Sequence, residues 1–276
     1  MSTGGRPTVI GEGPALSSPP ARDATAMPSP PAWVDSVGTS EREWEPWLWA
    51  LPPWSPDEVT GPVVVVAPHP DDETLGVGGL LAELLVRGVP ITVVAVTDGE
   101  GAFGPSTAAD RRALARRRRA EQESALRSLA GTTDGAPSSV GRPSVVRLGY
   151  PDGEVSAARH ELAASLRSLL AGAAWCLAPL VWDGHPDHDA CGEAALAACG
   201  DRIPVNQYPI WAWHWARPEQ VPFARALRVP LGPEARARKA HALRAFGSQY
   251  EATTGGPVLP PHVVDRFRRP FEVLFG

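Results

Sequence analysis

Residues 62–67 read Pro-Val-Val-Val-Val-Ala, and the next six read Pro-His-Pro-Asp-Asp-Glu. A strand with one wet face alternates apolar and polar residues. An unbroken β-branched run instead suits a strand covered on both faces, as in a parallel sheet under helices. The downstream pattern repeats the idea. Residues 75–87 predict a buried helix ending at Gly88, and 91–96 predict a second strand ending at Thr97-Asp98-Gly99, which completes a β-α-β unit. A Gly-rich loop (99–109) leads to a helix over 110–130. Strands are expected at 143–148, 176–182 and 204–209, with helices at 156–171, up to 199, and at 233–246. Alternating strands and helices predict an α/β fold, a parallel sheet with helices on both faces.

That domain begins at residue 62. Residues 1–32 predict a disordered leader, since the first 31 hold seven Pro and no apolar period. Residues 33–61 carry Trp33, Trp44, Trp47, Trp49 and Trp54, half of the 10 Trp. Aromatics of that size most often pack, so an arm lying on the domain is expected, with an aromatic substrate platform as the sharper alternative. The formal charge of −5 argues against a nucleic-acid binder, which needs a basic face. No apolar run reaches the ~18 residues of a membrane span, and no secretory signal is evident. Cys176, Cys191 and Cys199 lack C-x-x-C spacing, which suits reduced thiols and a cytoplasmic location.

Ligands of parallel α/β sheets bind at the carboxyl ends of the strands. Two clusters fall there: Pro68-His69-Pro70-Asp71-Asp72-Glu73 after the first strand, and Asp183-Gly184-His185-Pro186-Asp187-His188-Asp189 after the fourth. Two His and one Asp can hold Zn²⁺ with a position left for water. A spare carboxylate can take the proton of an attacking water, and a spare His can stabilise an oxyanion. The inventory matches metal-assisted hydrolysis of an amide. Which Asp would bind the ion stays open on this reading, as does Zn²⁺ against Fe²⁺ or another divalent ion. One acidic turn alone could merely cap a helix. Two His-Pro-Asp turns at equivalent strand ends are harder to explain that way.

The run VVVVAPHPDDETLGVGG resembles the first signature of the PIG-L/LmbE-like deacetylases, and DGHPDHDACG resembles the second. The resemblance covers residues 62–276. It implies a Rossmann-like, mostly parallel sheet and a metal-dependent, usually zinc-dependent, N-deacetylase of acetamido sugars or glycosylated small metabolites. Carried over by position, it makes His69, Asp72 and His188 metal ligands and Asp71 the general base. His185 becomes the residue that polarises the acyl oxygen or assists amine departure, and a protonated His185 is expected.

The resemblance further suggests substrate contacts. Asp98 and Asp152 follow the second and third strands. One arginine of 116–119 is expected to meet substrate, with Arg118 the candidate, although the Arg-rich stretch 111–119 reads mainly as a solvated helix face. Tyr208, Trp211 and His214 lie in an aromatic run after the fifth strand, suited to a sugar face or an aromatic aglycone, with core packing the leading reading for at least two of its Trp and a structural role for His214. Lys239, Ser248, Gln249 and the segment 269–272 are assigned to packing around the site. Two rival readings exist: a metal-dependent amidohydrolase of a non-sugar amide or longer acyl group, and a cofactor-binding module. The glycines at 76, 78 and 79 do not form G-x-G-x-x-G, which disfavours the latter. The expected partner is a small sugar-containing molecule, with no nucleic acid and no membrane; the oligomeric state stays open.

Overall fold

The structure, a computed structural model, describes residues 37–104, 106–131, 141–220, 226–251 and 256–276. The leader expected over 1–32 and Trp33 lie outside the described residues. In chain order the elements are α1 (Glu41–Ala50), β1 (Val63–Ala67), α2 (Asp72–Val86), β2 (Ile91–Ala95), α3 (Ala108–Leu129), β3 (Ser144–Arg147), α4 (Arg159–Leu169) and β4 (Trp175–Pro179). There follow α5 (Pro186–Cys199), β5 (Val205–Tyr208), α6 (Ala212–Trp215), β6 (Ala226–Pro230), α7 (Pro233–Leu243), α8 (Gly247–Tyr250), α9 (Pro261–Val264) and β7 (Phe271–Phe275).

One seven-stranded sheet runs in the order β3-β2-β1-β4-β5-β7-β6. The first five are parallel, with Val63 opposite both Ile91 of β2 and Trp175 of β4. The chain builds outward from β1 in one direction and from β4 in the other. A crevice therefore opens where those two strands end. Both ends carry a His-Pro-Asp turn.

The alternation along β1 explains why all five of its residues are apolar. Val63, Val65 and Ala67 join a core with Leu75, Leu81 and Leu84 of α2, Leu126 and Leu129 of α3 and Leu243 of α7. Val64 and Val66 face the opposite layer, with Leu162 and Leu166 of α4 and Ala190 and Ala194 of α5.

The sheet's far side departs from the sequence-based expectation. β7 pairs antiparallel with both β5 and β6, so two strands are added that no helix alternation marks. Glu272 interrupts the apolar run of β7, and Arg228 and Pro230 that of β6, which hides both from a hydrophobic count. The chain preceding β1 shields this edge. Arg228 N–H donates to Pro52 O at 3.0 Å and Trp54 N–H to Arg228 O at 2.8 Å, so the outer strand is not left bare. Farther back, Trp44 of α1 is fully buried. Its indole N–H donates to Trp213 O at 3.0 Å, and the two rings meet edge to face at 5.1 Å.

Candidate metal centre

After β1 the chain turns through His69 and Pro70, and Asp71 caps α2. Its carbonyl accepts Thr74 N–H at 2.9 Å and Leu75 N–H at 2.8 Å. After β4, Gly184 takes a φ of 95°, which lets the chain reverse sharply into α5. His185 is the cap of α5, Pro186 follows at its first position, and His188 lies one turn in.

The two turns bring three donor atoms together. His69 Nδ1 lies 3.2 Å from Asp72 Oδ2 and 3.2 Å from His188 Nε2, and His188 Nε2 lies 3.3 Å from Asp72 Oδ2. Ligands about 2.0–2.2 Å from a tetrahedral ion stand about 3.3–3.6 Å apart, so this triangle has the size of one face of a zinc tetrahedron. The donor chemistry agrees: two imidazole nitrogens and one carboxylate oxygen. A proton cannot sit on both facing nitrogens at that separation, whereas one cation satisfies all three atoms.

Each imidazole is aimed by its other nitrogen. His188 Nδ1 donates to Asp183 Oδ2 at 2.7 Å. Asp183 is itself fully buried and accepts backbone N–H groups of Ile210, Trp211 and Ala212 at 2.7, 2.9 and 3.0 Å. His69 Nε2 lies 3.1 Å from Asp152 Oδ1 and 3.3 Å from Asp187 Oδ2. Asp152 is held by Gly101 N–H at 2.7 Å, and Asp187 by Gly153 N–H at 2.8 Å and Val155 N–H at 3.2 Å. Carboxylates on the far ring nitrogen fix the tautomer and raise the basicity of the ligating one.

The field matches a cation site. Burial opposes charge on His188, but Asp72 and Asp183 outweigh it and lift its pKa to about 10. His69 is likewise raised, against burial, by Asp152, Asp187 and Asp72. Burial alone would raise Asp72, yet His188 and His69 hold it well below the carboxylate range. A field that draws protons onto imidazoles draws a divalent cation too.

Asp71 stands beside this triangle without joining it. Burial lifts its pKa to about 6, while Arg118, whose Nη2 donates to Asp71 Oδ2 at 3.1 Å, opposes the rise. His185 differs from the protonated form expected above. Burial and the neighbouring imidazoles lower it to about 3, and its Nδ1 accepts Asp187 N–H at 3.2 Å. The ring is therefore neutral, with its proton on Nε2. Its centroid lies 4.8 Å from that of His69 and 4.7 Å from that of His188.

The substrate candidates scatter. Asp152 and Arg118 are in the site, but each is engaged there: Asp152 with His69, and Arg118 with Asp71 and with Gly99 O at 2.9 Å. Asp98, at the end of β2, pairs with Arg119 and lies 3.7 Å from Arg147. Trp211 is half-buried beside Asp183, its backbone N–H on that carboxylate. Tyr208 and His214 are not brought to the site. Tyr208 is buried in the core, its hydroxyl donating to Val66 O at 2.6 Å; Gly76 leaves room for the ring, since a Cβ there would come within 2.3 Å of it. His214 is buried beneath Gly38.

Asp183 received no role from sequence. Its signal was present: an acid following an apolar strand, five residues before a candidate ligand. Its partners are backbone amides of a later segment, which no motif displays.

Comparisons with known proteins show what the chain is similar to. The family model described as "PIG-L: GlcNAc-PI de-N-acetylase" matches residues 64–199. A probable N-acetyl-alpha-D-glucosaminyl L-malate deacetylase of Bacillus anthracis is 30% identical over 205 residues, spanning 68% of this chain and 81% of that protein. A conserved protein of Thermus thermophilus superposes with a TM-score of 0.52 at 27% identity, covering 74% of this chain and 84% of its own. The N,N'-diacetylchitobiose deacetylase of Pyrococcus horikoshii shares the fold, with a TM-score of 0.50 at 23% identity over 69% of this chain and 71% of its own.

Proposed function

The chain belongs to the PIG-L family of de-N-acetylases, and from that premise we propose that it is a zinc-dependent hydrolase that removes an N-acetyl group from an acetamido sugar or glycosylated small metabolite and releases acetate. The observation that carries this reading is the 3.2–3.3 Å triangle of His69, Asp72 and His188 with a buried carboxylate, Asp71, alongside. Those three residues would hold the ion. When bound, it supplies a Lewis acid that polarises the acyl oxygen and acidifies water.

The remaining steps belong to the protein. Asp71, ionised above a pKa of about 6, takes a proton from the attacking water. His185 Nε2–H donates to the acyl oxygen as it becomes anionic; a neutral imidazole can do this without giving up its proton. The C–N bond breaks, the proton on Asp71 passes to the leaving amine, and acetate and a free amine result. Arg118 opposes the rise that burial imposes on Asp71 and so favours its carboxylate form.

On this reading residues 62–276 form the catalytic unit, and of the arm expected over 33–61 the described part, 37–61, packs against it. The three cysteines are buried free thiols, which supports a reducing, cytoplasmic location. Among the described residues no helix is long and apolar enough to cross a membrane. The test is acetate release from a panel of N-acetyl sugars and glycosylated metabolites, with and without chelator. Chelator-sensitive release from at least one N-acetylglucosaminyl compound is expected. Turnover confined to acylated amines without a sugar, or to longer acyl chains, contradicts the proposed substrate class.

A further inference from the structure

Helix α2, whose first turn presents Asp72, is not continuous. Val77 has φ −136° and ψ 15°, outside the helical region. In an unbroken helix Gly79 N–H would bond Leu75 O. Here both groups meet a buried ion pair. Glu272 of β7 accepts Gly79 N–H at 2.7 Å on Oε1 and Leu80 N–H at 2.8 Å on Oε2. Lys239 of α7 donates to Leu75 O at 2.7 Å and to Glu272 Oε1 at 2.6 Å. The pair is spliced into the break, and both side chains are buried.

The composition makes this lysine conspicuous. It is the one lysine among 26 Lys+Arg. A compact ammonium with three donors reaches a carbonyl and a carboxylate at once, where a planar guanidinium needs more room. Of the glycines beside the break, Gly79 is required by its surroundings, since a Cβ there would come within 2.4 Å of Leu231, while one on Gly78 would make only ordinary contact with Lys239 Cγ at 3.5 Å.

The link to the site is one residue long. Lys239 holds the carbonyl of Leu75, and the N–H of Leu75 donates to Asp71 O at 2.8 Å. We propose that Lys239 and Glu272 are positioning residues, which set where Asp71 and Asp72 stand relative to His188 by holding the break in α2. A hydrophobic pair could fill the same space, but it could not terminate the two interrupted backbone ends. Both residues lie outside the span matched by the family model. The inference rests on the reading of Asp71 and Asp72 given under Proposed function.

The test compares full-length wild type with Glu272→Gln, Lys239→Met and a control, Val273→Ala, which cuts a core side chain next to Glu272 on the opposite face of β7. Zinc affinity is measured by chelator competition on folded protein, alongside Tm, kcat and KM. Zinc binding about 10-fold weaker or worse is expected in the two pair variants, with kcat reduced and KM nearly unchanged. The control should lose Tm only. Pair variants that lose Tm but keep wild-type zinc affinity and kcat overturn the proposal. Should those variants fail to fold, amide exchange of the wild type decides. Zinc should slow exchange over residues 76–81 more than over β2, and equal slowing overturns the proposal. A wild type that binds no zinc contradicts the reading of the site itself, and this inference with it.

Discussion

The two turns that build the site look alike in sequence and are held in different ways. His185-Pro186-Asp187-His188 opens an unbroken helix, and its proposed ligand His188 is aimed by one carboxylate, Asp183, that backbone amides hold. His69-Pro70-Asp71-Asp72 opens a broken helix, and His69 faces two carboxylates, Asp152 and Asp187. On the proposed assignment the turn into α5 would supply one ligand on a support fixed by backbone amides. The turn into α2 would supply two ligands and the base, so several groups must be aimed at once: His69 by Asp152 and Asp187 and, as we propose, Asp71 and Asp72 through the Lys239–Glu272 pair.

That contrast can be broken in order of expected effect. His188→Ala removes one corner of the triangle; elemental analysis should find the zinc gone and turnover with it. Asp183→Asn leaves His188 in place but weakens its carboxylate partner on Nδ1, and zinc affinity should fall about 10–100-fold. Asp152→Asn should cost less than about 10-fold in the same titration, because Asp187 still faces His69 Nε2. Equal losses in these two variants would erase the distinction between the turns.

The smallest effect concerns the base. Asp71 is raised by burial, so its active carboxylate form is present above its pKa, and kcat/KM falls as pH drops through that value. Arg118→Met removes a cation that lowers this pKa. The acid limb of the pH profile should therefore move up by about 1 unit. A limb that stays put or moves down contradicts the role given to Arg118.

Much of this was legible in the sequence because apolar runs and strand-end turns are local. Val63–Ala67 announces a doubly covered strand, and the placing of His69 and His188 at equivalent strand ends suggests a shared site before any coordinates. What stayed hidden depends on distant partners. Tyr208 reads as a candidate substrate contact until Gly76, in another element, is seen to admit its ring to the core. His185 reads as a proton donor until burial and the Asp187 N–H hold it neutral. β7 carries Glu272, which caps the break in α2 and pairs with Lys239, and β6 carries Arg228, which lies over the Trp49 and Phe271 rings, so their pattern looks like loop. Lys239 and Glu272, 33 positions apart, meet only because α7 and β7 flank α2.

The most direct measurement is zinc content and turnover of Asp71→Asn, read side by side. The variant should keep one zinc per chain, because Asp71 is no corner of the triangle, and lose about 10²–10⁴-fold in kcat for acetate release, because no carboxylate remains to take the proton. Undiminished turnover, or loss of the metal, would contradict the division of the Asp71-Asp72 pair into base and ligand.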